Sequence, residues 1–247
     1  KFKNLKKDID VIIGSPPCQT FSNAGTGRIK SLKKDITKDL RNYYYKSYID
    51  YVRYFKPKIF ILENVPGFKT KFNGKIFNDF INYFNSNLKP KYYLNFKILN
   101  SINFGVPQNR KRIFIIGSLD PNFLDLPDGN NLFKDNTTVN DAISDLPFIN
   151  DDWRIDRMPY SKNKNLTTYQ KFMRKNKKDF ISNNICRVSN EKAKQVFEKL
   201  EPNQKYKDLS ITLKNKINFF ENFNSKILIN RMRKLPVDEA SWTIIAH

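Results

Sequence analysis

The chain is nearly without histidine: one, His247, stands among 247 residues, at the last position. That excludes a Ser-His-Asp triad, an HExxH zinc site and a His/Cys metal cluster. Chemistry here must run on Cys, Glu, Asp, Lys, Arg or Tyr. Cysteine is almost as scarce, with only Cys18 and Cys186, too few for a disulfide framework. No apolar run reaches membrane-spanning length, and the opening residues lack a signal peptide's hydrophobic core. The expectation is a reduced, cytoplasmic protein with no membrane partner. Acidic residues are outnumbered, 24 Asp and Glu against 45 Lys and Arg, which leaves a net charge of +21. Such an excess points to an anionic partner, nucleic acid first. A proteome rich in lysine and asparagine would raise the charge too, but phosphate would still be attracted.

Apolar residues make up 39% of the chain, enough for a core in one large domain or two modest ones. The first half alternates strand and helix patterns. Val11-Ile12-Ile13 is a short buried-strand pattern. Residues 42–55 are expected to form an amphipathic helix with Tyr45, Tyr48, Ile49, Val52 and Phe55 on one face, stopped by Pro57. "KIFIL" (58–62) is a second strand, ending at Glu63. Residues 75–88 place Ile76, Phe77, Phe80, Ile81, Phe84 and Leu88 at helical spacing, and "RIFIIG" (112–117) is a third strand. Apolar strands alternating with helices predict an α/β fold with a parallel sheet. Ligands gather at the carboxyl ends of such strands, and Cys18 and Glu63 both fall just past them. After about residue 120, Asp, Asn, Pro and Lys dominate. Only 193–200 repeats helical spacing clearly, through Ala193, Val196, Phe197 and Leu200. The expected division is therefore 1–120 and 121–247, with no internal repeat.

Three stretches carry candidate chemistry. In "GSPPCQTFS" (14–22), Pro17 fixes φ and presents Cys18 rigidly, ahead of a polar, glycine-containing loop. Cys18 is a candidate nucleophile there, or a small buried hydrophobe. In "ENVPGF" (63–68), Glu63 ends an apolar strand. Partial desolvation should raise its pKa and make it a usable acid, or it simply caps the next segment. In "GVPQNRKRIFIIG" (105–117), two-residue alternation should set Arg110 and Arg112 on one side. Two guanidiniums facing one way suit an anion or a base carbonyl. A solvated edge strand is the other reading.

In this order, the three stretches resemble the Pro-Cys, Glu-Asn-Val and Gln-x-Arg-x-Arg motifs of the DNA (cytosine-5)-methyltransferases. The connecting segment "DLRNYYYKSYIDYVRYFKPKIFILENV" and the lead "ILNSINFGVPQNRKR" resemble the family as well, as do "TTVNDAISDLP" (137–147) and "RMRKLPVDEASWTIIAH" (231–247). The resemblance implies a partial Rossmann-like, S-adenosyl-L-methionine-dependent sheet plus a smaller, irregular target-recognition domain. It implies that Cys18 adds to carbon 6 of a flipped cytosine and makes carbon 5 nucleophilic. Glu63 would contact N3, and Arg112 would hold the carbonyl oxygen at position 2. Arg110 would support the catalytic loop or contact phosphate. Asn64 and Gln108 would be supporting positions, and Pro17, Gln19 and Ser22 would lie in or beside the loop that folds over the DNA. With no histidine nearby, arginine neighbours and a helix N-terminus would favour the thiolate. Double-stranded DNA is the implied substrate, and a cognate restriction endonuclease is a partner that restriction-modification would supply. The recognition part would read the major groove, with Arg154, Arg157, Arg174 and Arg187 as candidates.

The chain departs from the family pattern at both ends. The Phe-x-Gly-x-Gly cofactor turn should precede Pro-Cys, yet only 13 residues precede Gly14 and none forms it. Gly25-Thr26-Gly27 follows no strand. The acidic residue that grips the cofactor ribose and the final Arg-rich and Gly-Asn motifs are also not found. The expectation is a middle piece of an enzyme, from a truncated record or a split or decaying gene. The opening without Met favours truncation. The rival readings are an RNA-directed relative, whose Cys-Phe-Thr tripeptide is not found, and a non-catalytic DNA-binding remnant or one subunit of a split enzyme. A cysteine hydrolase fails for want of a histidine base.

Overall fold

The computed structural model describes residues 8–86, 88–122, 125–129, 133, 137–149, 156–162, 165–175, 179–185, 189–219 and 232–244. Arg154, Cys186, Arg187 and His247 lie outside the described residues. In chain order the first elements are β1 (Val11–Gly14), α1 (Asn23–Ser31), α2 (Tyr44–Phe55), β2 (Ile59–Asn64), α3 (Gly67–Thr70) and α4 (Lys75–Ser86). Next come β3 (Tyr93–Asn100), β4 (Gln108–Asn109), β5 (Lys111–Ser118), α5 (Val139–Ile143), β6 (Met158–Pro159) and α6 (Thr168–Met173). The last are β7 (Phe180–Ile181), α7 (Glu191–Lys199), α8 (Ile211–Ile217) and β8 (Ser241–Trp242). The chain divides into two units, Lys1–Asn100 with Lys111–Asn130, and Ser101–Arg110 with Asn131–His247.

The first unit is a four-stranded sheet in the order β1-β2-β5-β3. Helix α2 buries the expected stripe, Tyr45, Tyr48, Ile49, Val52 and Phe55. Lys56 closes it in the left-handed region at φ 49°, its N–H donating to the Val52 carbonyl, and Pro57 prevents continuation. Helix α4 buries Ile76, Phe77, Phe80 and Phe84 and ends at Ser86, two residues before the predicted end. Along β2 and β5 burial alternates with period two. Phe60, Leu62, Ile113 and Ile115 are fully buried in the cluster that α2 and α4 complete. Phe60 sits among Tyr48, Phe84 and Tyr92, with ring centroids 6.1, 4.6 and 5.3 Å away. The opposite face carries Val11, Ile13, Ile59, Ile61, Phe114 and Ile116. It is partly open, with Val11 46% and Ile13 72% exposed.

Strand direction differs from the prediction. β1 and β2 are parallel, but β5 runs antiparallel to both β2 and β3. The reason is the connection: residues 101–110 between β3 and β5 hold no crossover helix, and a parallel neighbour would require one. Strand β3 was not predicted at all. Its apolar Leu94, Phe96 and Ile98 are interrupted by Asn95 and Lys97, as suits the edge of the sheet.

In the second unit, α7 appears where helical spacing predicted a helix, with Val196 and Leu200 buried beside Tyr206, Leu209 and Ile217. Thr138 and Asp141 form a capping box on α5, and Thr167 and Gln170 form one on α6. Two short ladders complete the unit: antiparallel β6–β7 and parallel β4–β8.

Candidate active site

The Cys18 turn is built at the carboxyl end of β1. After Gly14 the chain passes through Ser15, Pro16 and Pro17 to Cys18, a free thiol half-buried against the aromatic core. The Cys18 carbonyl accepts from the N–H groups of Phe21 (3.0 Å) and Ser22 (2.9 Å), which closes a tight turn. Phe21 anchors that turn: it is 3% exposed and meets Phe68 and Phe72 edge-on at 5.3 and 6.2 Å. Ser22 Oγ accepts from the N–H of Gly25 at 3.0 Å, at the first turn of α1. Two glycines permit this packing. A Cβ on Gly25 would lie 2.0 Å from the Gln19 carbonyl oxygen, and one on Gly67 2.0 Å from that of Phe21. Asn64, fully buried, secures the other end by donating from Nδ2 to the Pro16 carbonyl at 3.1 Å. Its Oδ1 accepts from the Val65 N–H at 2.9 Å.

Beside this turn, Arg112 Nε lies 2.9 Å from Glu63 Oε1, with the two side chains 18% and 27% exposed. Ser15 Oγ donates to Glu63 Oε2, and Arg112 Nη1 donates to the Lys111 carbonyl at 2.7 Å. Antiparallel pairing brings these groups together. Asn64 is registered with Ile113 and Glu63 with Phe114, so the start of β5 meets the end of β2. In a parallel arrangement Arg112 would have stood at the far end of the sheet. Glu63 is partly buried, as its place at the end of an apolar strand suggested, and it also has two partners. It is a carboxylate held by a guanidinium and a hydroxyl, on the partly open face of the sheet.

The remaining predicted residues fall in several places. Arg110 immediately precedes β5, which begins at Lys111. Its carbonyl accepts from the Ser101 N–H at 3.1 Å. Gln108 lies in β4, opposite Ser241, and its carbonyl accepts from Ser101 Oγ at 2.6 Å. Pro17 and Gln19 are exposed, and Ser22 is half-buried. Arg174 is committed within the second unit: Nε donates to the buried Asp145 at 2.7 Å, and the guanidinium stacks 3.5 Å over the Tyr160 ring. Arg157 stacks 3.3 Å over Phe180. Sequence reasoning missed Ser15 and Arg41, the donors to Glu63 and Gln19. Neither position carries a pattern that marks it. Among the described residues, no group of three or more His, Cys, Asp or Glu side chains could hold a metal ion. No helix there is long and apolar enough to cross a membrane.

The sheet defines a class first. It is a partial Rossmann-like α/β sheet, and a prophage-encoded E. coli protein described as a DNA modification methyltransferase shares the fold. That match has a TM-score of 0.63 and 24% identity over 98% of this chain and 64% of the other. The family follows: the model of the C-5 cytosine-specific DNA methylases matches residues 1–244, and the chain belongs to that family. Among relatives, it is 35% identical over 144 residues to the type II methyltransferase M1.HphI of Haemophilus parahaemolyticus, covering 58% of this chain and 36% of that protein. It is 38% identical over 149 residues to M.DdeI of Desulfomicrobium norvegicum, covering 58% and 33%. The chain spans about a third of the length of these curated relatives.

Proposed function

We propose that this chain carries the catalytic center and part of the target-recognition region of a DNA (cytosine-5-)-methyltransferase. The observation that carries the proposal is the half-buried Cys18 thiol on a rigid turn at the same end of the sheet as the Glu63–Arg112 pair. Cys18 adds to carbon 6 of cytosine, and the electron pair moves into the ring toward carbon 5, N3 and the position-2 oxygen. Glu63 faces N3 and Arg112 holds the oxygen, so both act where charge develops. In the free protein these two side chains hold each other, which pre-organises them for the base. Once carbon 5 has gained the methyl group, loss of the carbon-5 proton returns the electron pair to the 5,6 double bond and expels the Cys18 thiolate from carbon 6, which releases the methylated base. Residues 1–120 serve the chemistry and 121–247 the recognition of sequence, with Arg110 and Gln108 as supporting positions. Duplex DNA is the substrate, and the +21 charge supports that reading. The type II designation of the relatives supports a restriction-modification setting with a cognate endonuclease in the cytoplasm.

The methyl group is supplied by S-adenosyl-L-methionine. The described residues do not fit its principal cradle. The one Gly-x-Gly of the sequence, Gly25-Thr26-Gly27, lies inside α1, where Gly25 packs on Gln19. The exposed Val11 and Ile13 at the β1 edge favour the second reading, that this chain works as one part of a larger or split enzyme. In the assembled enzyme, Cys18→Ser is expected to abolish methyl transfer while duplex DNA binding survives. Retained transfer would overturn the assignment.

A further inference from the structure

The geometry points to Arg41 as a positioning residue that ties the Cys18 turn to the protein core through Gln19. This rests on reading residues 14–22 as the catalytic loop. Arg41 Nε and Nη2 go side by side to the two oxygens of Asp39, at 2.8 and 2.5 Å. This two-pronged pairing fixes the plane of the guanidinium. The third nitrogen, Nη1, is thereby aimed at Gln19 Oε1, to which it donates. Asp39 also accepts from the backbone N–H of Arg41 at 3.0 Å, so one carboxylate holds both the turn and the side chain. Those bonds, the Arg41 side chain first, hold the Asp39 carboxyl down at about 2.

The mount behind Arg41 is firm. Asn42, 2% exposed, donates to the Ile36 carbonyl at 2.7 Å and braces the preceding turn. Helix α2 starts two residues later, at Tyr44, and its buried face belongs to the aromatic core. A path therefore runs from the core through α2 and Arg41 to Gln19, the residue next to Cys18. Because Asp39 neutralises its charge, Arg41 acts on Gln19 by geometry and contributes little to phosphate attraction.

The test is amide hydrogen exchange on the full chain, without DNA or methyl donor. Its probes are the Phe21 and Ser22 amides that donate to the Cys18 carbonyl. Arg41→Gln and Gln19→Leu should each speed their exchange by roughly fivefold, the scale of one partly exposed charge-assisted bond. The double variant should be no faster than the faster single one. Gln19→Glu keeps an acceptor for Nη1 and should restore wild-type exchange, and α2 should be unchanged in every variant. Unaltered exchange at Phe21 and Ser22, additive effects or equal acceleration throughout α2 would overturn the tether. If Arg41→Gln fails to fold because Asp39 loses its donors, Gln19→Leu against Gln19→Glu decides alone. No chemistry is read in this experiment, so its failure leaves the methyltransferase reading standing. Conversely, methyl transfer retained by Cys18→Ser would sink that reading and leave the tether intact.

Discussion

Breaking the Glu63–Arg112 pair should cost more than either side chain contributes alone. The contact is 2.9 Å and both side chains are about three-quarters or more buried. Two unit charges about 4 Å apart attract by roughly 4 kcal/mol at an effective dielectric near 20. Desolvation and residual exposure offset much of this, leaving a coupling of about 1–2 kcal/mol. Arg112→Met strands Glu63 with the Ser15 hydroxyl as its remaining named donor, and should destabilise by about 2 kcal/mol. Glu63→Gln leaves a guanidinium without its anion and should cost a similar amount. The double variant removes both charges and should fall short of the summed cost by about 1–2 kcal/mol. Urea unfolding followed by circular dichroism measures all four proteins. Additivity within about 0.5 kcal/mol would refute the reasoning. So would a coupling that vanishes in about 1 M salt, where screening acts over about 3 Å and removes solvated pairs first.

Two further predictions concern charge. Tyr45 and Tyr92 are each pushed up to about 12 by burial, and burial also raises Tyr48, despite its bond to the Ile61 carbonyl. Unfolded tyrosine ionises near 10 (about its reference value), so the folded state binds more protons above that pH. This stabilisation is complete below about pH 10 and is lost as pH rises through about 12. Tyrosinate absorbance should therefore appear together with loss of helix, and smooth titration of a still-folded protein would contradict it. Duplex DNA binding should weaken by about a thousandfold or more between roughly 50 and 200 mM salt, as expected for many phosphate contacts. A flat salt response would remove the electrostatic argument.

Much of the first unit was legible because its signals are local. Apolar spacing located α2 and α4 there, and α7 in the second unit, and short β-branched runs located β1, β2 and β5. Strand direction was not legible, because pairing depends on the connection between strands. The short link between β3 and β5, without a crossover helix, reversed the expected direction of β5. The interrupted strand β3 was missed for a related reason, since an edge strand tolerates Asn and Lys within its pattern. At the site, the three motifs pointed to Cys18, Glu63 and Arg112 as candidates, and the structure pairs the last two directly. Glu63 is partly buried as its strand position suggested, while its pairing with the guanidinium across the sheet depends on strand direction, which a local pattern does not carry. The donors Ser15 and Arg41 are common polar residues whose importance comes only from where the chain brings them.

The central claim is that Cys18 bonds covalently to the base. The direct measurement uses the assembled enzyme, S-adenosyl-L-methionine and duplex DNA in which the target cytosine carries fluorine at carbon 5. After methylation that fluorine cannot leave as a proton does, so the enzyme should remain bound to the strand. Mass spectrometry of the digested complex should then find the nucleotide on the peptide that contains Cys18, and Cys18→Ser should yield no adduct. An adduct on another residue, or none with the intact enzyme, would contradict the account.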